Sequence, residues 1–101
     1  MREFLRGAVR LHILHHGAQH EVHGAWLAAE LAGHGYTISP GSLYPTLHKM
    51  EAEGLLRSRS KLVDGRVLRS YRVTAKGRRE LVAATGQLRE LADEVLGRSV
   101  R

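Results

Sequence analysis

The chain has 101 residues, 16 Lys plus Arg against 10 Asp plus Glu for a formal charge of +6, and no cysteine. That length suits one domain, or a domain with an arm, and the missing thiols exclude disulfides, thiolate metal sites and cysteine nucleophiles. No apolar run could cross a bilayer and Glu3, Arg6 and Arg10 interrupt the start, so the expectation is a soluble cytoplasmic protein with an acidic partner, nucleic acid being the commonest.

A first helix is predicted from about Arg2 to His16, since Phe4, Leu5, Ala8, Leu11, Ile13 and Leu14 make a broad apolar face; Gly17 is expected to end it. A second helix follows His23-Gly24 through Ala25, Leu27, Ala28 and Leu31, and stops at Gly33-His34-Gly35.

The next stretch, SPGSLYPTLHKMEAEGLL from Ser39 to Leu56, starts a third helix. Ser39 suits the N-cap, where its hydroxyl can accept from a first-turn amide, and Pro40 suits the first helical position. Pro45 removes a bond to the Gly41 carbonyl, so the first turn is expected to bend or open toward water or a polar ligand. At about 100° per residue, Leu43, Leu47 and Met50 share an inward side. Gly41, Pro45, Lys49 and Ala52 lie opposite, flanked by Ser42 and by Tyr44 with His48. A face that is small near its start and basic further along can approach a groove closely.

Asp64-Gly65 between β-prone runs predicts a hairpin with a two-residue turn. A type I′ turn sets Val63 opposite Arg66, and Lys61, Arg59 and Arg57 opposite Leu68, Ser70 and Arg72. One face then carries Arg57, Arg59, Lys61, Arg66 and Arg72; the other carries Leu56, Leu62, Val67, Tyr71 and Val73, with Arg69 the exception. Thr74 is expected to cap a last helix from about Ala75 to Leu96, in which Leu81, Ala84, Leu88, Leu91 and Val95 follow coiled-coil spacing. That seam must be buried against the first helix, a second copy of the chain, or both.

The fold class predicted is mainly α with a small β-hairpin: a winged helix-turn-helix over residues 1–74 and a dimerisation helix over 75–101. In that geometry the helix begun at Ser39 enters the major groove with Ser42, Tyr44 and Lys49 on its groove face. The stretches HGAWLAAEL, ISPGSLYPTLHKMEAEGLL and DGRVLRSYRVTAKGRREL make the resemblance specific: the chain resembles the PadR family of bacterial transcription regulators from about Phe4 to Leu96. The resemblance implies a homodimeric repressor of the short class, with a single C-terminal helix; the two-fold symmetry of such a dimer predicts an inverted-repeat operator. The resemblance also implies DNA contacts by Ser39, Gly41, Ser42, Tyr44 and Lys49, with Lys61 and Arg66 in the wing; a dimer contact is expected from the seam, through Phe4, Leu81, Leu88, Leu91 and Val95. Beside these roles stand blander ones: Tyr44 also suits the edge of the core, Lys49 a solvated helix face, and most wing arginines phosphate rather than base contacts.

His12, His15, His16, His20 and His23 crowd one region, and His12 and His16 are one helical turn apart, a spacing that can grip Zn²⁺ or a similar ion. A metal-responsive regulator is therefore one alternative, although the sequence does not identify a third ligand, a carboxylate such as Glu3 or Glu21 being one option. The plainer reading puts His12 and His15 near a dimer surface, His20 in a turn and His23 in the family's His-Gly cap. Trp26 is expected as a core or dimer-edge ring, and a small-molecule effector stays open. Enzyme activity is not expected, because no Gly-x-Ser-x-Gly elbow, phosphate-binding loop or His-Glu-x-x-His run is present. A protein-binding winged-helix adaptor would need an apolar outward face on the third helix, which Ser42, Lys49 and the basic wing oppose.

Overall fold

The computed structural model describes residues 1–97; the last four positions of the expected arm, 98–101, lie outside the described residues. Helix α1 spans Arg2–Gln19, one turn beyond the expected end at His16. Gly17 is buried within it, and a side-chain carbon added there would sit 3.5 Å from the Val73 amide nitrogen. That is an ordinary packing distance, and the helix runs through this glycine rather than stopping at it.

A short strand, β1 (Val22–His23), precedes α2 (Gly24–Gly33) and α3 (Pro40–Ala52); the hairpin strands are β2 (Leu56–Val63) and β3 (Arg66–Val73), followed by α4 (Ala75–Leu96). The sheet order is β1-β3-β2 and every pairing is antiparallel. β1 is a strand that the sequence did not announce, because two residues cannot show an alternation; Val22 pairs with Tyr71 and His23 with Ser70. The hairpin register matches the expected one, with Val63 opposite Arg66 and Arg57 opposite Arg72. Asp64 and Gly65 take φ of 51° and 75°, the two left-handed positions that a type I′ turn requires.

The core gathers Val9, Ile13 and Leu14 from α1, Leu27 and Leu31 from α2, and Leu43, Leu47 and Met50 from α3. Val22, Leu55, Leu56, Tyr71 and Val73 close it from the sheet side. One apolar pair does not join. Leu62 and Val67, opposite each other near the hairpin tip, are each 71% exposed, because the ribbon extends beyond the helices that cover its base.

Thr74 caps α4 as expected, its hydroxyl accepting from the Gly77 amide at 3.0 Å while donating to the Gly54 carbonyl at 2.6 Å. Gly77 is buried against the Leu55 carbonyl and a Val73 methyl, and Leu81 is half-buried against the core. Beyond it, Leu88, Leu91, Val95 and Leu96 are exposed, so α1 covers only the start of the apolar seam. No helix among the described residues is long and apolar enough to cross a membrane.

Candidate nucleic-acid interface

Helix α3 starts in solvent. Ser39, Pro40, Gly41 and Ser42 are all exposed, while Leu43, Leu47 and Met50 are buried on the opposite side. Ser39 has the extended backbone of an N-cap, and its carbonyl accepts from the amides of Ser42 at 3.0 Å and Leu43 at 2.8 Å. Its hydroxyl does not cap the helix, contrary to expectation, but turns to the Ser42 hydroxyl at 3.4 Å. The first-turn amides thus keep their donors free of a side-chain partner, and the helix dipole adds positive potential there.

Pro45 does not open the helix either: α3 is continuous from Pro40 to Ala52. The carbonyl that Pro45 leaves without a backbone donor belongs to exposed Gly41, where water can reach it. One residue later the Thr46 hydroxyl donates to the Ser42 carbonyl at 2.8 Å. The helix therefore tolerates proline because the loss falls at its solvent-facing end.

Tyr44 is 40% exposed, and its ring leans on the first residue of α2: a side-chain carbon on Gly24 would come within 2.6 Å of it. The need for glycine after His23 is thus steric. Gly24→Ala is expected to push the ring toward solvent at a cost of about 1 kcal/mol, the low end for overpacking because a half-exposed ring can yield. Urea denaturation checks this, and the double variant with Tyr44→Ala should lose no more than Tyr44→Ala alone.

Lys49 is exposed on α3, as are Arg57, Lys61, Arg66, Arg69 and Arg72 on the hairpin. Arg59, on the same basic face, is paired within the chain: its guanidinium meets the Glu21 carboxylate at 2.7 and 3.1 Å. That hydrogen bond holds Glu21 below the usual carboxylate range. Lys61 and Arg66, nearer the tip, have no acidic partner among the described residues. Helix α3 is tied to the hairpin and to α1. The Glu51 carboxylate accepts from the Ser58 amide at 3.0 Å and its hydroxyl at 2.8 Å, and Arg10 reaches Glu53 at 2.7 Å. The Arg10 hydrogen bond holds the Glu53 carboxyl below its usual range.

On the opposite side, Phe4, Leu11, Leu88 and Leu91 line an apolar groove of about 590 Å³ between α1 and α4, with Leu81 at its inner end; Val95 lies further along α4, exposed. Trp26 is 39% exposed, its ring edge-on to His16 and His20. His12 and His16 do approach each other, with ring centroids 6.1 Å apart. Burial first, then His34 and His15, hold His12 below the ordinary imidazole range; burial and then His15 do the same for His16, with Glu30 opposing in both. Neither carboxylate expected beside them is there: Glu21 binds Arg59, and Glu3 lies 3.8 Å from the chain's amino terminus. His34, which in the sequence marks only a helix stop, is the residue that joins them.

A helix pair with an exposed second helix, flanked by a basic antiparallel ribbon, is a winged helix-turn-helix. The chain belongs to the PadR-like family of transcriptional regulators, which matches residues 13–83. It is similar to Transcriptional regulator Rv3488 of Mycobacterium tuberculosis, 63% identical over 97 residues that cover 96% of this chain and 91% of that protein. The crystal structure of a PadR family regulator from Eggerthella lenta superposes with a TM-score of 0.78 at 29% identity, covering 94% of this chain and 85% of that one. Bacillus subtilis PadR, solved in complex with operator DNA, superposes with a TM-score of 0.70 at 21% identity over 77% of this chain and 46% of that one, a likeness of fold.

Proposed function

We propose that this regulator is a homodimeric repressor that binds an inverted-repeat operator in double-stranded DNA. Residues 1–74 form the DNA-binding unit and 75–101 the dimerisation arm. Each α3 enters a major groove, the two about 34–36 Å apart, and each hairpin lies along the flanking backbone or minor groove. Ser39, Gly41, Ser42, Tyr44 and Lys49 meet the groove, while Lys61 and Arg66 meet the backbone. One observation carries the reading: the uncapped amino end of α3 and Lys49 face solvent, beside a ribbon whose outer cations lack acidic partners among the described residues. Bacillus subtilis PadR, solved in complex with operator DNA, supports DNA as the partner through likeness of fold.

Retention of genomic fragments by the purified protein tests the reading, with an enriched inverted repeat as the expected result. Affinity should fall steeply with salt, each neutralised phosphate adding roughly −0.9 to the log–log slope. Lys49→Ala and Arg66→Ala should each make that slope shallower by about one contact. Slopes equal to wild type in both variants would remove those two residues from the interface.

A further inference from the structure

Two helices each offer an i, i+4 pair to the same space. His12 and His16 come from α1, while Glu30 and His34 come from the C-terminal half of α2 and its cap. One ring nitrogen from each of the three histidines lies within 4.8 Å of the others. The Glu30 carboxylate stands between two of them, 3.1 Å from His34 Nε2 and 3.5 Å from His16 Nε2. His16 Nε2 is buried and has no hydrogen-bond partner, its side chain being only 11% exposed. A buried lone pair or N–H without a partner is costly, and a ligand is one way to satisfy it.

We propose that His12, His16, His34 and Glu30 form a binding site for a divalent transition metal ion of the Zn²⁺ type. Three imidazoles and one carboxylate are a donor set for a tetrahedral borderline ion, whereas Mg²⁺ and Ca²⁺ call for oxygen. Nitrogens about 2.0–2.1 Å from such an ion stand about 3.3 Å from each other, so the cluster must contract. His34, about half exposed, is free to move inward. Such an ion would clamp the end of α2 to α1, just ahead of the turn that leads into α3. His12 also lines the groove between α1 and α4, so the same ion would touch the proposed dimer surface. An effect on DNA binding rests on the function proposed above; binding of the ion does not.

The test uses untagged full-length protein stripped with a chelator and titrated calorimetrically with Zn²⁺ in the absence of DNA. One ion per chain is expected, with no heat from Mg²⁺. Co²⁺ should give the intense visible absorption of a tetrahedral site. His34→Ala and the double variant His12→Ala, His16→Ala should each weaken binding by roughly tenfold or more, while His23→Ala and His48→Ala should leave it unchanged. Because His16 is nearly buried, circular dichroism accompanies the double variant; the more exposed His34→Ala decides the matter if that variant misfolds. Absence of a saturable heat with wild type, or equal heats with wild type and His34→Ala, overturns the site and leaves only a structural histidine–glutamate cluster. Since the heats are read without DNA, failure to retain any operator would strike the proposed function and leave this result standing.

Discussion

Leu88→Asp is expected to convert the protein to monomers and to weaken operator binding by roughly 10²-fold or more. Leu88 is 47% exposed in the single chain, in an apolar groove with Phe4 and Leu91, and α1 does not cover it. A carboxylate placed there meets water in the monomer but apolar surface in a dimer, where an unpaired buried charge costs several kcal/mol. Loss of the partner also removes the second half-site, whose linked binding multiplies affinity by 10²–10⁴. Sedimentation equilibrium and fluorescence anisotropy on operator DNA read the two effects. The far-ultraviolet spectrum should stay that of the wild type, because the chain's own core does not use this leucine. A dimer that survives the substitution would refute the role assigned to α4.

Gly77→Ala is the second large effect, and it acts on stability. The added methyl would collide with the Leu55 carbonyl, which also accepts from the Thr74 amide at 3.0 Å, and with a Val73 methyl. Backbone cannot rotate out of the way as a side chain can, so α4 must lift from the start of β2 and the end of β3. A loss of about 3 kcal/mol is expected, near the upper end for overpacking. For a domain of this size that lowers Tm by roughly 12–24 °C. Gly86→Ala in the same helix is the control: nothing lies within 4 Å of the added carbon, and better helix propensity should stabilise by about 0.5–1 kcal/mol. Thermal melts of the two variants should therefore move in opposite directions, and a Gly77→Ala melt equal to wild type would rule out the close approach.

Short-range chemistry was legible without coordinates wherever neighbours along the chain set the outcome. Asp64-Gly65 tolerates the left-handed conformations of a tight turn, and that turn dictates the pairing from Val63–Arg66 down to Leu56–Val73. The spacing of Leu43, Leu47 and Met50 identified the buried side of α3, and Thr74 announced the start of α4 through a bond to the amide three residues on. Pro45 is the local rule that failed. Its penalty depends on whether the orphaned carbonyl reaches water, and exposed Gly41 makes that possible.

Contacts between residues far apart in the chain could be found only after folding. Gly17 reads as a helix stop, yet α1 runs through it where the helix packs on the sheet, and Leu62 and Val67 share the apolar face of the ribbon but stay exposed because the ribbon outreaches the helices. Arg59 on the basic face pairs with Glu21, 38 positions away. His34 joins His12 and His16 because α2 returns alongside α1, a fact with no trace in residue spacing. Periodicity and turn chemistry are properties of a few adjacent residues and can be read in order. Which surfaces then meet depends on how all the apolar faces are buried together, and no segment carries that information alone.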